Sequence, residues 1–225
     1  MSLALFDLDN TLLDGDSDYL WGCYLAEHGL VDGAEYAREN ERFYREYQAG
    51  VLDIAEFLRF ALRPLREHPR ALLERLREQF LSERIDPIIT PTARALVEQH
   101  RAAGDTLVII TATNTFVTAP IAARFAVPHL IATQPAEHAG AYTGEVAGVP
   151  AFREGKVIRL EHWLNEHGLD LTDSYFYSDS QNDLPLLERV THPVAVNPDA
   201  TLRDIATERG WPICSLRATS ELCFS

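Results

Sequence analysis

The chain has 225 residues, of which 46% are hydrophobic and 24% are charged, so it can bury a sizeable core as one large domain or as a core with a smaller second domain. Its formal net charge of −14 argues against nucleic acid or an anionic membrane as a partner, because both require a positive protein surface. No apolar run approaches the roughly 20 residues that span a bilayer, and the first residues lack the pattern of a secretory signal.

The first predicted strand ends at two carboxylates. Residues 3–6 form a short apolar run without a helical period, which predicts a strand buried on both faces of a parallel sheet. Asp7 and Asp9 follow at its carboxyl end, where open α/β sheets place their ligand crevice, and their side chains should point to the same side. At about 4 Å two such charges repel by roughly 4 kcal/mol, so one carboxyl keeps its proton or a cation lies between them. Both arrangements suit phosphate-ester chemistry, although an Asp-x-Asp pair is also typical of a turn or a helix cap.

A helical segment follows this strand. Apolar residues recur with a helical period across residues 14–86, most clearly at 54–65. The pattern predicts a bundle of about four helices inserted over the two carboxylates. We therefore divide the chain into an α/β core of residues 1–15 and 87–225 and a helical cap of residues 16–86.

The rest of the chain alternates between helices and strands. Helices are predicted at residues 93–100, 116–125, 156–167, 183–189 and 199–208. Strands are predicted at residues 106–111, 129–133, 175–178, 193–196 and 211–214, with a hairpin through residues 142–146. This alternation predicts an α/β fold with a doubly wound parallel sheet.

The cysteines and histidines follow no ligand pattern. Cys23, Cys214 and Cys223 are widely spaced and form no Cys-x-x-Cys motif, so we expect neither a disulfide framework nor a zinc site, and we predict a reduced, cytoplasmic protein. The eight histidines show no close pair at ligand spacing, and we interpret them as structural or surface residues.

Three polar segments follow later strand ends or open a helix. They are residues 111–114 (Thr-Ala-Thr-Asn), residues 155–156 (Gly-Lys) and residues 178–183 (Ser-Asp-Ser-Gln-Asn-Asp). Together with residues 7–11 they come in the order found in the haloacid dehalogenase superfamily, and the chain resembles its phosphoserine-phosphatase-like branch. The resemblance covers nearly all of the predicted core. It implies a Rossmann-like α/β core with an inserted helical cap.

The resemblance also implies a Mg²⁺-dependent phosphomonoester hydrolase. Asp7 would attack phosphorus to form an aspartyl-phosphate, and Asp9 would protonate the leaving alkoxide and then activate water. The metal would be held by Asp7, the main-chain carbonyl of Asp9, and Asp179. Asp183 would ligate the metal or orient a metal-bound water.

Further positions are implied to bind phosphate. Lys156 would contact both the phosphate and the Asp7 carboxylate, which keeps Asp7 ionised. The Thr111 hydroxyl and the Ala112 amide would bind phosphoryl oxygens. Considered without the resemblance, Lys156 is also explained as a solvated cation, Thr111 as a strand-end residue and Asp183 as a helix N-cap.

The substrate implied is a small soluble phosphorylated metabolite. Asp16 stands where the phosphoserine phosphatases place an acidic residue for the substrate amine, within an acidic run at residues 14–18. We hypothesise an amino-alcohol phosphate, such as histidinol phosphate or phosphoserine. Residues 111–113 replace Ser-Gly-Gly, Ser178 replaces Gly, and no Arg-Val-Ser-Leu stretch occurs, all of which argue against phosphoserine. A solvated helix start explains the acidic run about as well.

Two other functions are compatible with the same core. A phosphotransferase or mutase would pass the phosphoryl group to a second alcohol through the same intermediate. A catalytically silent regulatory or binding module would usually lack Asp7, Asp9, Lys156 or Asp179, and all four are present. The oligomeric state is not predicted.

Overall fold

The computed structural model describes residues 2–217. Six parallel strands form the central sheet: β1 (Leu3–Phe6), β2 (Thr106–Asn114), β3 (His129–Thr133), β6 (Tyr175–Ser178), β7 (His192–Val196) and β8 (Ile213–Cys214). Their order across the sheet is β3-β2-β1-β6-β7-β8. An antiparallel hairpin of β4 (Pro135–His138) and β5 (Ala141–Val146) lies outside this sheet.

The described residues contain nine α-helices: α1 (Ser17–Glu27), α2 (Gly33–Gln48), α3 (Ile54–Glu67), α4 (Arg70–Phe80), α5 (Pro91–Ala103), α6 (Thr115–Arg124), α7 (Glu154–His167), α8 (Leu184–Leu187) and α9 (Ala200–Arg209). No helix among them is both long enough and apolar enough to cross a membrane.

Alternate residues of β1 divide the apolar core into two parts. Ala4 and Phe6 belong to a cluster shared with α1, α3, α4, α5 and α6, whereas Leu3 and Leu5 belong to a cluster shared with α7, α8 and α9. This division follows from the two-residue period of a strand, which sends successive side chains to opposite faces of the sheet. Helices therefore cover both faces, and the predicted doubly wound α/β fold is confirmed.

Helices α1 to α4 occupy the chain between β1 and β2, as the helical period predicts. Their buried side chains include Trp21 and Phe80, which belong to the same apolar cluster as Phe6 in the sheet. Helices α1, α3 and α4 therefore pack onto the sheet through shared hydrophobic contacts, whereas Phe43 of α2 belongs to a separate small cluster with Leu52 and Phe152. The division into a separate cap of residues 16–86 stays a prediction.

Several predicted boundaries are wrong: helix α5 extends to Ala103, the strand predicted at 211–214 is only Ile213–Cys214, and two further boundaries lie at the site. Strand β2 continues to Asn114 instead of ending at residue 111, because the backbone stays extended and Asn114 pairs with Thr133 after an irregularity in the ladder. Helix α8 covers Leu184–Leu187 and not residues 183–189, since a separate short turn, Gln181–Asp183, precedes it. In β2 the polar residues after residue 110 predict the strand end, and in α8 Asp183 is the predicted first residue of the helix.

The cysteines differ in state. Cys23 carries a free thiol. Cys214 is disulfide-bonded, so the expectation of a reduced thiol is wrong at that position, because spacing along the chain does not report distance in space. Cys223 lies outside the described residues.

Candidate active site

Asp7 terminates β1 at the carboxyl edge of the sheet, and only 5% of the residue is exposed. The chain then makes one tight turn, Leu8–Leu12, in which Asn10 adopts a left-handed backbone conformation with φ of 57°. The turn returns Thr11 to the strand end. Its Oγ1 lies 3.2 Å from Asp7 Oδ2 and 3.3 Å from Asp179 Oδ1. One hydroxyl therefore links carboxylates that follow two neighbouring strands.

Lys156 reaches Asp7 from the first turn of α7. Its Nζ lies 2.7 Å from Asp7 Oδ1 and 2.7 Å from Asp183 Oδ2, and 3% of its side chain is exposed. At Gly155 a Cβ atom would lie 2.0 Å from Pro150 O, so only glycine permits this close approach of the backbone. Lys156 is also the only lysine among the 20 basic residues of the chain. The Lys156 ammonium is thus buried between the carboxylates of Asp7 and Asp183.

Burial and the ion pair act in opposite directions on these groups. Burial raises the pKa of Asp7 to about 7, while the Lys156 ammonium works against that rise. Burial alone would lower the pKa of Lys156, but Asp183 and Asp7 outweigh it and the net pKa is raised. Lys156 therefore stays charged at neutral pH and favours the ionised form of Asp7.

Asp9 is held by donors from two elements. The Ser17 N–H donates to Asp9 Oδ1 at 2.6 Å, and Thr113 Oγ1 donates to Asp9 Oδ2 at 2.8 Å. Thr111 Oγ1 is 3.5 Å from the same oxygen. Burial raises the pKa of Asp9 to about 6, and the charge of Asp16 adds to the rise. A carboxyl with such a pKa can hold a proton for a leaving group and later accept one from water.

Three buried carboxylates lie in this part of the site, and two of them, Asp7 and Asp183, contact the Lys156 ammonium. The third belongs to Asp179. Burial raises the pKa of Asp179 well above its usual value, and the charges of Asp7 and Asp183 add to that effect. Asp183 Oδ2 accepts a second hydrogen bond, from Ser178 Oγ at 2.7 Å. With all three carboxyls ionised, the group would carry more negative charge than its own cation can balance.

This charge excess fits a divalent cation. Carboxylate and carbonyl oxygens are the ligands that Mg²⁺ prefers, and it is typically held by one or two carboxylates together with waters and phosphate. Within residues 2–217, no group of three or more His, Cys, Asp and Glu residues converges into a metal site by itself. A Mg²⁺ site with few protein ligands, completed by water and the substrate phosphate, agrees with both the excess of carboxylates and the absence of a larger ligand cluster in the described residues.

The predicted site residues surround one cavity. Its wall includes all of them except Asp179, namely Asp7, Asp9, Asp16, Thr111, Ala112, Lys156 and Asp183. An aromatic wall of the same cavity includes Tyr19, Phe43, Tyr44, Tyr47, Phe57 and Phe152. Asp179 does not line the cavity, and it is linked to Asp7 through the Thr11 hydroxyl. Residues separated by more than a hundred positions in the sequence are thus brought together.

An acidic edge of the cavity lies at the start of α1. Asp16 Oδ1 accepts from the N–H groups of Asp18 and Tyr19, at 3.0 and 2.9 Å, so Asp16 caps the helix as well as lining the cavity. Burial raises the pKa of Asp16. Burial also raises the pKa of Asp18 well above its usual value, with further contributions from the charges of Asp16 and Asp9. A cation in the cavity would relieve this repulsion.

Three polar contacts were not predicted from the sequence. They involve Thr11, Ser17 and Thr113. Thr113 makes a shorter contact with Asp9 than Thr111 does, because β2 continues past its predicted end. The only sequence feature that could have indicated these contacts is the pair of threonines in residues 111–113.

A comparison with protein families matches residues 4–188 to the haloacid dehalogenase-like hydrolases. The match spans most of the chain, and it includes the strands that end at Asp7, the Thr111 segment and Asp179. The chain belongs to the haloacid dehalogenase-like hydrolase family. The predicted family is therefore confirmed, as is the prediction that the chain is an enzyme of the hydrolase class.

Individual relatives are similar over nearly the whole chain. A histidinol-phosphatase of Neisseria meningitidis serogroup C (strain 8013) is 47% identical over 96% of this chain and 99% of its own length. Phosphoserine phosphatase SerB1 of Mycobacterium tuberculosis (strain ATCC 25618 / H37Rv) is 34% identical over 95% of this chain and 70% of its own length.

Solved structures show the same fold. A protein of unknown function from Bordetella pertussis Tohama I has a TM-score of 0.91 at 49% identity, covering 96% of this chain and 99% of that one. A phosphoserine phosphatase with a phospho-aspartyl intermediate analogue has a TM-score of 0.71 at 19% identity, covering 96% and 94%. At that identity the second likeness supports the fold alone.

Proposed function

We propose that this phosphatase hydrolyses a small soluble phosphomonoester through an aspartyl-phosphate on Asp7, with Mg²⁺ as cofactor. The observation that carries the proposal is the 2.7 Å ion pair between Lys156 and Asp7, on a cavity wall that also holds Asp9. The ion pair favours an ionised nucleophile where burial alone would neutralise it. Asp9 supplies a group that carries a proton on the same wall.

The proposed reaction consists of two displacements at phosphorus. In the first, the Asp7 carboxylate forms a bond to phosphorus while the bond to the alkoxide breaks, and Asp9 gives its proton to the alkoxide oxygen. In the second, water attacks the phosphorus, Asp9 accepts a proton from that water, and the Asp7 carboxylate is released. Thr113 donates to Asp9 and keeps its carboxyl group oriented for both steps.

The phosphoryl oxygens would be bound from two sides. Lys156 lies against Asp7 and offers its remaining N–H to the phosphoryl group. The Thr111 hydroxyl accepts from the Thr113 N–H at 3.2 Å, and its own proton would turn from the long 3.5 Å contact with Asp9 Oδ2 to a phosphoryl oxygen. The amide of Ala112, also on the cavity wall, would be the second donor. These donors match charge that develops on the oxygens.

Mg²⁺ would be held by Asp7, Asp179 and the main-chain carbonyl of Asp9. Asp183 would ligate the ion or orient its water, and the contact of Asp183 with Lys156 favours the orienting role. When bound, the ion neutralises charge on the phosphoryl oxygens and among the carboxylates.

Chelation tests the metal proposal. In excess EDTA we expect turnover of p-nitrophenyl phosphate to fall at least about 100-fold, and Mg²⁺ added in excess of the chelator should restore it. Mg²⁺ should also raise the melting temperature of the wild type, because a ligand that binds only the folded state stabilises it. Asp179→Asn should weaken that thermal shift. Full activity after exhaustive chelation would contradict the metal proposal.

The substrate we propose is an amino-alcohol phosphate, with histidinol phosphate as the first candidate. The acidic edge formed by Asp16 and Asp18 would bind the cationic group, since burial and neighbouring carboxylate charges raise the pKa of both carboxyls and a cation would offset that effect. The aromatic wall, including Tyr19 and Tyr44, would pack against an apolar or ring-bearing part of the substrate. The name of the relative at 47% identity supports the same choice.

Asp16→Asn tests this substrate class. Asparagine can still cap α1, so the helix should be retained while the charge is lost. We expect the ratio of kcat/KM for histidinol phosphate to that for phenyl phosphate to fall about tenfold, which corresponds to about 1.4 kcal/mol. Steady-state phosphate release measures both values. An unchanged ratio would exclude Asp16 as a binding site for the amine.

Phosphate release also separates the hydrolase from a phosphotransferase or mutase. We propose that water is the acceptor, so inorganic phosphate should form at the rate of alcohol release without an added alcohol. A catalytically silent module would show no release at all. Absence of nucleic acid partners and a cytoplasmic location stay predictions.

A further inference from the structure

The C-terminal end of α2 lies against the loop after β6 and the start of α7. The last carbonyls of an α-helix have no partner within the helix. Here two side chains from the opposite segments donate to carbonyls of the last turn, Asn182 Nδ2 to Tyr47 O at 3.1 Å and Gln181 Nε2 to Gln48 O at 2.9 Å. Arg153 Nη2 donates to Gly50 O, just beyond the helix end. Gly50 has φ of 69°, and a Cβ atom there would lie 3.4 Å from the Gln181 amide. The helix end is therefore fitted closely to the segments that carry Lys156 and Asp183.

Arg153 holds the centre of this contact. Its Nε donates to Asn182 Oδ1 at 3.0 Å, so one guanidinium connects the α2 end with the loop after β6. Its positive charge also lies at the helix end that carries partial negative charge. The Arg153 backbone has φ of 50° and ψ of −123°, a region that L side chains rarely adopt. Such backbones persist when surrounding contacts hold them, and they concentrate at functional sites.

The same two segments carry the reactive lysine. The Lys156 N–H donates to Arg153 O at 3.0 Å, and the Lys156 ammonium pairs with Asp183, which directly follows Asn182. Tyr47, whose carbonyl is bound by Asn182, lines the cavity on the α2 side. The α2 end and Lys156 are therefore fixed to one scaffold.

We propose that Arg153 is a positioning residue that holds the C-terminal end of α2 closed over the cavity during the proposed phosphatase reaction. The role rests on the proposed function, since it concerns the same cavity. Gln181 and Asn182 assist it through the two neighbouring carbonyls. Without Arg153, the α2 end spends less time in the closed arrangement, and apparent substrate affinity falls in proportion to the closed fraction.

Arg153→Gly is the decisive variant. Glycine adopts φ of +50° without strain, so the substitution removes the guanidinium contacts without straining the folded backbone. We expect amide hydrogen exchange across residues 47–52 to become at least about tenfold faster. For p-nitrophenyl phosphate we expect KM to rise about tenfold with kcat changed less than threefold. Arg153→Lys, which keeps the charge, should recover part of both effects.

Arg94→Ala is the matched control. Arg94 also donates to a backbone carbonyl, that of Arg124 at 2.9 Å, but it does not line the cavity. Its variant should leave exchange at residues 47–52 and KM within twofold of the wild type.

The exchange measurement requires no turnover, so it separates this proposal from the proposed function. Exchange across residues 47–52 within twofold of the wild type in Arg153→Gly would overturn the positioning role. Absence of phosphatase activity in the wild type would instead overturn the proposed function. Should Arg153→Gly fail to fold by circular dichroism, Gln181→Ala decides the matter, since it removes one of the three contacts without touching the strained backbone. Faster amide exchange across residues 47–52 in Gln181→Ala would support the proposal that these side chains hold the α2 end closed, and unchanged exchange would overturn that proposal.

Discussion

Asp7→Asn is expected to lower kcat for p-nitrophenyl phosphate by a factor on the order of 10⁴ or more, with the fold retained. The amide has nearly the same shape as the carboxylate but lacks the nucleophilic oxygen that forms the aspartyl-phosphate. Lys156 keeps its second partner, Asp183, at 2.7 Å, so the ammonium is not left without a counter-charge. A loss of activity would then reflect the loss of the nucleophilic carboxylate and not a loss of folded structure.

The stability of Asp7→Asn gives an independent check. In the folded protein the pKa of Asp7 is raised to about 7 from an ordinary value of 3.8. A raised carboxyl pKa means that ionised Asp7 costs folding free energy above its unfolded pKa, with the full cost reached above pH 7. Asparagine removes this cost, so at pH 8 in chelator the variant should melt no lower than the wild type.

Asp14→Asn is the matched control for this substitution. Asp14 is an exposed carboxylate in the same segment, 3.2 Å from Arg217, and it does not line the cavity. Its kcat should stay within twofold of the wild type. Residual turnover above about 1% in Asp7→Asn, with contaminating activity excluded, would contradict the nucleophilic role.

Lys156→Met is expected to have the largest effect on stability. Methionine matches the aliphatic stem of lysine, but Asp7 and Asp183 then remain buried with no ammonium. Removing one partner of a buried ion pair typically costs about 3–5 kcal/mol, because an uncompensated charge is left behind. Urea denaturation at pH 8 in chelator should show a loss of this size. The kcat should also fall by a factor on the order of 10³, since both phosphate binding and the ionised state of Asp7 depend on the ammonium.

A double variant separates the two effects of Lys156. Lys156→Met with Asp183→Asn removes one of the stranded charges and should regain part of the lost unfolding free energy. Activity should not return, because the phosphate still lacks the ammonium. Should Lys156→Met be as stable as the wild type, the ion pair would have no structural role, and the proposed charge balance of the site would be wrong.

Much of the site could be predicted because its groups follow strand ends. Asp7, Thr111 and Asp179 each come directly after an apolar run, and parallel strands present their carboxyl ends at one edge of the sheet. Lys156 could be assigned only through the resemblance, because a lysine at a helix start is usually solvated.

Other contacts depend on backbone geometry that local patterns do not encode. Thr113 contacts Asp9 because of an irregularity in the pairing of β2 with β3, and the hydroxyl-rich segment was mistaken for the end of the strand. The left-handed conformations of Asn10 and Arg153 occur in residues other than glycine, so no glycine in the sequence marked them. The contacts of α2 with the loop after β6 join segments more than a hundred residues apart, beyond the range of any periodicity.

The rarity of lysine in this chain has a practical consequence. Every other strongly basic side chain is arginine, so Lys156 carries the sole ε-amine of the chain, and it lies where phosphate is expected to bind. Because its carboxylate partners keep this buried amine protonated, acylation should be slow and should require alkaline pH, but one acyl group at this amine would label the reaction centre itself. If inorganic phosphate protects Lys156 from acylation, the fraction of protein with the added acyl mass would measure how much of the site is occupied by phosphate.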